Sequence, residues 1–222
     1  MRVNNQTKKS YESTYAGGYD KSYPSLEAVR LEKLFFKNHK GKILDFGCGP
    51  GTNGLHFLKL GYEVTFCDIS SNALKKVKKK LKINKIKKNF KIINLSKKNN
   101  FLKTKNQIFD YIICFSVFNN LGDRKNAEKY INFFHRILKK NGKIIIDSNI
   151  RNKHNYKVIN KKKKLYTTHP KNNFGLKMYF PTKNDFKNII KKNGFKINDI
   201  GRAMFKIFDT KEDEVIISAT KK

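Results

Sequence analysis

From residue 41 onward, short apolar runs alternate with stretches whose apolar residues recur every three or four positions. Ile43 and Leu44 begin a brief apolar run that stops at glycines. Gly54, Leu55, Phe57, Leu58 and Leu60 then follow helical spacing, with Gly61 as a left-handed stop. Tyr62 to Cys67 alternates like a strand and ends at Asp68. Ser70 predicts a helix cap, with Ala73, Leu74, Val77 and Leu81 facing inward and lysines outward. Phe90 to Leu95 predicts a third strand, Lys97 to Gln107 a polar loop and Phe109 to Phe115 a fourth strand. Asp123 opens an amphipathic helix through Ala127, Tyr130, Ile131, Phe134, Ile137 and Leu138. Asn141-Gly142 closes it, before a fifth strand from Lys143 to Asp147. Thr182 and Asp185 predict a capping box, Gly194 a stop, and Phe195 to Ile197 with Val215 to Ser218 a final strand pair. Strands alternating with helices specify an α/β fold, and the apolar fourth strand belongs in the middle of a parallel sheet.

Two segments stand outside that rhythm. In the leader, Tyr11, Tyr15, Tyr19 and Tyr23 recur at every fourth position, one aromatic stripe on a helix, but Gly17-Gly18 interrupts it. The expectation is a short helix, a break, and a second helix through Leu26, Val29, Leu31, Leu34 and Phe35 with Ser25 at its cap. Between Asp147 and Pro181 lies a basic insertion containing His154, Tyr156, Tyr166, His169, Phe174 and Tyr179. The boundaries are therefore a leader at 1–40 and an α/β domain at 41–222, with the insertion at about 148–181.

Length and composition narrow this further. A chain of 222 residues suits one α/β domain with a real core. No apolar run approaches the roughly 20 residues of a membrane span, and the N-terminus lacks the apolar core of a signal peptide, so a cytoplasmic protein is expected. Cys48, Cys67 and Cys114 are dispersed without metal-ligand spacing and read as buried apolar side chains; no metal is expected. The formal charge is +33, from 50 Lys+Arg against 17 Asp+Glu. So basic a surface attracts phosphate, which keeps nucleic acid as an alternative partner. Nearly all of it is lysine, however, whereas bidentate phosphate and base recognition favours arginine. The lysines come with abundant Asn and Ile, as compositional drift in an A+T-rich genome would leave them. Drift predicts lysines over every outer helix face; selection for RNA predicts them gathered where the strands end.

The chemistry concentrates at Asp45-Phe46-Gly47-Cys48-Gly49-Pro50-Gly51-Thr52-Asn53-Gly54. A strand, a glycine turn and a helix N-terminus present free N–H groups to a ligand above the strand end. Gly49-x-Gly51-x-x-Gly54 fits the dinucleotide fingerprint. Asp45-x-Gly47-x-Gly49-x-Gly51 instead resembles motif I of the class I S-adenosylmethionine-dependent methyltransferases. An acid there suits a cofactor carrying an amino group and a sulfonium better than it suits a pyrophosphate. Asp68-Ile69-Ser70 resembles the next motif of the family, Asp68 meeting the ribose hydroxyls and Ile69 covering adenine. Arg136-Ile137-Leu138-Lys139-Lys140-Asn141-Gly142-Lys143 is a further match.

The resemblance, to the small-molecule type, covers about 41–222. It implies a Rossmann-like seven-stranded sheet in the order 3-2-1-4-5-7-6, the last strand antiparallel, with helices on both faces. It also implies S-adenosyl-L-methionine as cofactor, held by Asp45, Gly47, Cys48, Gly49, Asp68 and Ile69, with Asn94 and Ser96 the candidates to meet adenine and Phe115 bordering the cofactor. The leader would act as a lid and the insertion would build the acceptor pocket, making Tyr15, Tyr19, Asn119 and His154 candidate acceptor contacts. The chain departs from the family twice: Asn119 stands where a histidine often does, and no acid follows the third strand. Activity would be methyl transfer to a small-molecule acceptor. The alternatives are an RNA methyltransferase, an NAD(P)-dependent dehydrogenase and an inactive binding module. No motif names a catalytic base, and nothing specifies an oligomeric state.

Overall fold

The computed structural model describes residues 5–36, 40–96, 107–150, 156–168, 176–207 and 210–222. In chain order they form α1 (Asn5–Ala16), α2 (Leu26–Phe35), β1 (Lys42–Phe46), α3 (Thr52–Lys59), β2 (Glu63–Asp68), α4 (Ser71–Ile83), β3 (Phe90–Asn94) and β4 (Phe109–Cys114). A 3-10 turn (Phe118–Leu121), α5 (Arg124–Ile137) and β5 (Leu138–Asn149) follow. The rest is β6 (Tyr156–Asn160), β7 (Leu165–Thr168), β8 (Lys177–Tyr179), α6 (Lys183–Lys192), β9 (Phe195–Ile207) and β10 (Thr210–Lys221).

The main sheet has seven strands in the order β3-β2-β1-β4-β5-β10-β9, which is the expected 3-2-1-4-5-7-6. β1 runs parallel to both β2 and β4, with Asp45 opposite Phe66 on one side and Ile113 on the other, and β10 enters antiparallel to β5. Two apolar layers sandwich the sheet. Leu44, Phe46, Ile112 and Ile146 pack with Phe134 of α5 and Phe186 of α6 on one face. Ile43, Val64, Phe66 and Ile145 pack with Phe57 of α3 and Leu74 of α4 on the other. Adjacent residues of a strand point to opposite faces, so a strand buried on both sides must be apolar at consecutive positions, as Ile43-Leu44 and Ile112-Ile113 are.

The caps agree with the local chemistry. Ser25, Ser70, Asp123 and Thr182 each accept from the amide three residues on, in the first turn of their helices, and Thr182 with Asp185 completes a capping box.

Three expectations need correction. The helix expected to run through Leu138 to Asn141-Gly142 ends at Ile137, because Leu138 is extended, fully buried and paired with Phe109 of β4. Its carbonyl also accepts from Lys221 Nζ at 2.8 Å, which ties the start of β5 to the end of β10. The insertion, read without secondary structure of its own, forms a second, antiparallel sheet in the order β6-β7-β8, with Lys161 to Lys164 as its first turn. The final strand pair is far longer than the apolar cores at 195–197 and 215–218 suggested: backbone pairing runs from Phe195↔Lys221 to Ile207↔Thr210. A hairpin pairs its polar positions as readily as its apolar ones, and hydropathy marks only the part that packs on the core.

Candidate active site

The ends of β1, β2 and β4 open into a cavity of about 380 Å³. Its floor is the glycine turn. Gly47, Gly49 and Gly51 have φ of 69°, 52° and 80°, a left-handed region that side chains rarely adopt. Space forbids side chains there as well: a Cβ on Gly47 would lie 2.3 Å from Val117 Cγ2, and one on Gly49 2.5 Å from the Tyr15 hydroxyl. The turn is held from beneath by two buried carboxylates. Asp45 Oδ2 accepts from the Gly54 amide at 2.9 Å, fastening β1 to α3. Asp68 accepts from Gly49 N–H at 2.9 Å through Oδ2 and from Ser70 N–H at 2.8 Å through Oδ1, fastening the turn to α4.

Each carboxylate oxygen accepts more than one hydrogen bond, so Asp68 keeps capacity for two ligand hydroxyls and Asp45 for a cationic group. Burial pushes the Asp45 carboxyl up to about 7; the Gly54 amide opposes this and the nearby Asp68 charge adds to it. Asp68 is also raised, by burial, against the amides of Ser70, Gly49 and Ile69. A cradle that only glycine fits, with two acids short of counter-charge, suits a ligand bringing a ribose diol and positive charge. S-adenosyl-L-methionine has both.

Helix α1 covers this floor. Glu12 receives Ser70 Oγ–H at 2.8 Å and the Ser71 and Asn72 amides at 2.7 and 3.0 Å, so its carboxylate sits on the N-terminus of α4. Asp20, just beyond α1, pairs with Lys80 of α4. Tyr11 packs on Leu176, Met178 and Phe180 of the second sheet. Tyr15 is 9% exposed, and burial, followed by the Asp68 charge, pushes its phenol well above the ordinary range. β4 delivers the other wall. Ser116 has φ 58°, a left-handed conformation for a residue with a side chain, and its amide is held by Asp147 Oδ1 at 2.7 Å. Burial raises the Asp147 carboxyl well above the usual range.

Of the residues singled out in the sequence, Asp45, Gly47, Cys48, Gly49, Asp68, Ile69 and Phe115 all line the cavity, together with Tyr15 and Tyr19. Ser96 does not: its amide and hydroxyl both donate to Asn94 Oδ1, and Leu95 takes the place on the wall. Asn119 does not either. It is 3% exposed, its Nδ2 donates to Ser148 Oγ and to the carbonyls of Asn149 and Tyr179, and its Oδ1 accepts from Asn149 N–H. This side chain joins the 3-10 turn to β5 and β8, and the neighbouring Asn120 reaches the cavity instead. His154 lies outside the described residues.

Sequence reasoning missed Thr7, Ser10, Ser116, Val117 and Tyr130. Tyr130 carried a signal, an aromatic with a polar tip in a helix stripe that is otherwise apolar. The hydroxyls of α1 carried none.

Other groups offer little chemistry. Cys67 and Cys114 are buried, Cys48 is half-buried, all three are free, and burial raises each thiol. Among the described residues, no three His, Cys, Asp or Glu side chains gather as a metal site, and no helix is long and apolar enough to cross a membrane. Exposed lysines cover the outer faces of α4 (Lys75, Lys78, Lys79), α5 (Lys125, Lys129) and α6 (Lys183, Lys191), while Lys21 is the sole described lysine on the cavity wall.

Residues 44–144 match the family described as a methyltransferase domain. Over 83 residues, 36% of the chain, it is 34% identical to ribosomal protein L11 methyltransferase of Helicobacter hepaticus, and the match spans 26% of that relative. The chain thus covers about a quarter of the length of this curated relative. Among solved structures, a SAM-dependent methyltransferase of Methanosarcina mazei superposes with a TM-score of 0.71 at 19% identity, over 89% of this chain and 98% of that one. The 1,6-didemethyltoxoflavin-N1-methyltransferase of Burkholderia thailandensis, solved with 1,6-didemethyltoxoflavin and S-adenosylhomocysteine, gives 0.69 at 15% identity over 98% and 88%. Identities this low speak for the fold. The order of the sheet is that of the class I S-adenosylmethionine-dependent methyltransferase fold, and the match to the methyltransferase domain runs across the glycine turn and Asp68.

Proposed function

We propose that the chain transfers the methyl group of S-adenosyl-L-methionine to a small-molecule acceptor. The observation that carries this reading is the roof: α1 closes a cavity of about 380 Å³, within the roughly 300–1,000 Å³ of small-molecule sites. A polymer would need an open groove flanked by cations, and the lysines lie on outer helix faces instead.

When bound, the cofactor supplies an activated methyl group whose carbon–sulfur bond breaks as a lone pair of the acceptor attacks in line. The residues of the chain then have three tasks. Asp68 and the Gly47–Gly49 backbone seat the cofactor; Asp45 lies where an ammonium or sulfonium is favoured. The α1 roof, with Tyr15 over Gly49, excludes water and holds the two reactants face to face. Among the described residues the cavity wall has no histidine, and its two acids belong to the cofactor end.

Calorimetry should give S-adenosylmethionine a Kd between roughly 1 μM and 1 mM, the usual span for enzyme substrates. Tight NADH binding with no S-adenosylmethionine response would overturn the reading in favour of a dehydrogenase. Filter binding with bulk tRNA at about 0.15 M salt should show only the weak, steeply salt-dependent affinity of a basic surface, about 10⁻⁴ to 10⁻⁶ M. Sub-micromolar retention would move the acceptor to RNA.

A further inference from the structure

The two ends of the cavity differ in charge. Among the described residues, the charged groups on its wall are Lys21, Asp45 and Asp68, and the two acids belong to the cofactor cradle. The α5 end is neutral. It is formed by Val117 and Leu121 after β4, Tyr130 of α5, Leu176 before β8 and Tyr11 of the roof.

Most polar side chains at this end are already engaged. The Asn126 amide donates to the Leu121 carbonyl at 2.6 Å and that of Asn120 to the Ser116 carbonyl at 3.0 Å. Tyr130 is the exception. It is 6% exposed, its ring packs edge-on against Phe46 at 5.5 Å, and its hydroxyl bonds to no described group while remaining open to the cavity. A hydroxyl at the cavity wall that no protein group engages is free to donate to a bound ligand, and such a bond adds to affinity. Burial pushes this phenol up to about 12, with Cys67 and Cys114 adding to the shift. At neutral pH it is therefore a donor.

Resting on the methyl-transfer reading above, we propose that the acceptor is an uncharged molecule and that the Tyr130 hydroxyl donates a hydrogen bond to its carbonyl oxygen or ring nitrogen. Neutrality follows from the described wall: an ion buried there would meet no opposite charge among the described residues of the α5 end. Tyr130 is then a specificity residue, fixing which face and edge of the acceptor point toward the methyl group. Ser10 of α1 is 1% exposed and places a second hydroxyl on the same wall, from the roof.

Three probes on one bicyclic ring frame test this on the full chain saturated with S-adenosylhomocysteine: neutral 4-quinolone, anionic quinoline-4-carboxylate and cationic N-methylquinolinium, each titrated by saturation-transfer NMR. The neutral probe should bind best. Tyr130→Phe should weaken it about tenfold, the loss expected for one hydrogen bond, and leave S-adenosylhomocysteine affinity unchanged. Equal or tighter binding of either ion, no binding of 4-quinolone, or the same 4-quinolone affinity in Tyr130→Phe would overturn the proposal. Failure of S-adenosylhomocysteine to bind would instead overturn the methyl-transfer reading, and the three probes repeated without it would still decide the charge preference.

Discussion

The cofactor end of the cavity is built from backbone, and the acceptor end from side chains. At the first, the turn from Gly47 to Gly51 presents amides and leaves no room for a Cβ, while Asp45 and Asp68 fasten it to the two following helices. At the second, side chains from residues as far apart as Thr7 and Leu176 meet above β4. Backbone geometry tolerates little change, because each added atom must displace a neighbour. Side chains at the other end can be exchanged without moving the cradle. The two ends should therefore respond differently to substitution.

The largest separation is expected from Asp68→Ala. It deprives the Gly49 and Ser70 amides of their acceptor, and each lost hydrogen bond to a charged group is worth about 1.5–3 kcal/mol. S-adenosylmethionine affinity should fall by a hundredfold or more, with a lower Tm, whereas Tyr130→Phe should change it less than twofold. Calorimetry on both variants decides the matter. Equal losses would erase the distinction between the ends.

Gly49→Ala tests the cradle by sterics. A left-handed φ of 52° costs an L-residue roughly 1–2 kcal/mol, about tenfold in affinity, before any contact is counted. The new Cβ would also lie 2.5 Å from the Tyr15 hydroxyl, whose ring carbons are 3.4 Å or more away. Gly49→Ala should therefore weaken S-adenosylmethionine by more than tenfold, and in a Tyr15→Phe background the loss should shrink to that tenfold. A double-mutant cycle measures the coupling. Zero coupling would mean that Tyr15 does not press on the turn.

The same contrast explains what the sequence could reveal. Backbone sites leave local marks: the glycines are there because φ is positive, Asp68 ends its strand, and Ser70 caps the next helix, all within a few residues. The parallel centre of the sheet was likewise legible, since its central strands are apolar at consecutive positions, while the strand order came from the resemblance carried by Asp45 to Gly51 and Asp68 to Ser70. The acceptor end left no comparable mark. Asn119 looks in sequence like a site residue after β4, but its four hydrogen bonds to Ser148, Asn149 and Tyr179 appear only once β5 and β8 are folded against it. Ser96 was misplaced for a similar reason, because Asn94 two residues earlier captures it. The second sheet escaped notice because its first strands, Tyr156–Asn160 and Leu165–Thr168, are short and interrupted by a four-lysine turn.

The pH dependence of cofactor binding sharpens the comparison at a smaller scale. Asp45 is raised from 3.8 to about 7, chiefly by burial. A carboxyl raised on folding favours the native state fully below its unfolded value, and that advantage is lost as pH rises through about 7. The free protein should therefore lose Tm across this window. A cationic ligand favours the ionised form, so binding below pH 7 releases a proton and affinity should rise by up to tenfold per pH unit, then level off. Calorimetry in buffers of different ionisation enthalpy reads the proton directly. Asp45→Asn should flatten the profile, and 4-quinolone, at the neutral end, should show no such dependence.

The smallest effect concerns the roof that joins the two ends. Glu12 lies far in sequence from Asp45 and Asp68, the acids of the cradle, yet three donors at the start of α4 converge on its carboxylate. Burial works against its charge, but the Asn72 and Ser71 amides and the Ser70 hydroxyl outweigh it and hold the carboxyl below its ordinary value. A carboxylate lowered in this way contributes docking that is complete above that value and lost as pH falls through the depressed one. Glu12→Gln keeps the shape and removes the charge, which at a helix N-terminus is worth about 1 kcal/mol at most. Amide exchange across α1, corrected for intrinsic rates, should then be about fivefold faster at neutral pH, the ratio that 1 kcal/mol gives. The wild-type protein should reach that faster rate only under acid, and the variant should show no step there. If α1 exchanges equally in both, the roof is held by Tyr11 on the second sheet and Tyr15 over Gly49, and the α4 contact only follows.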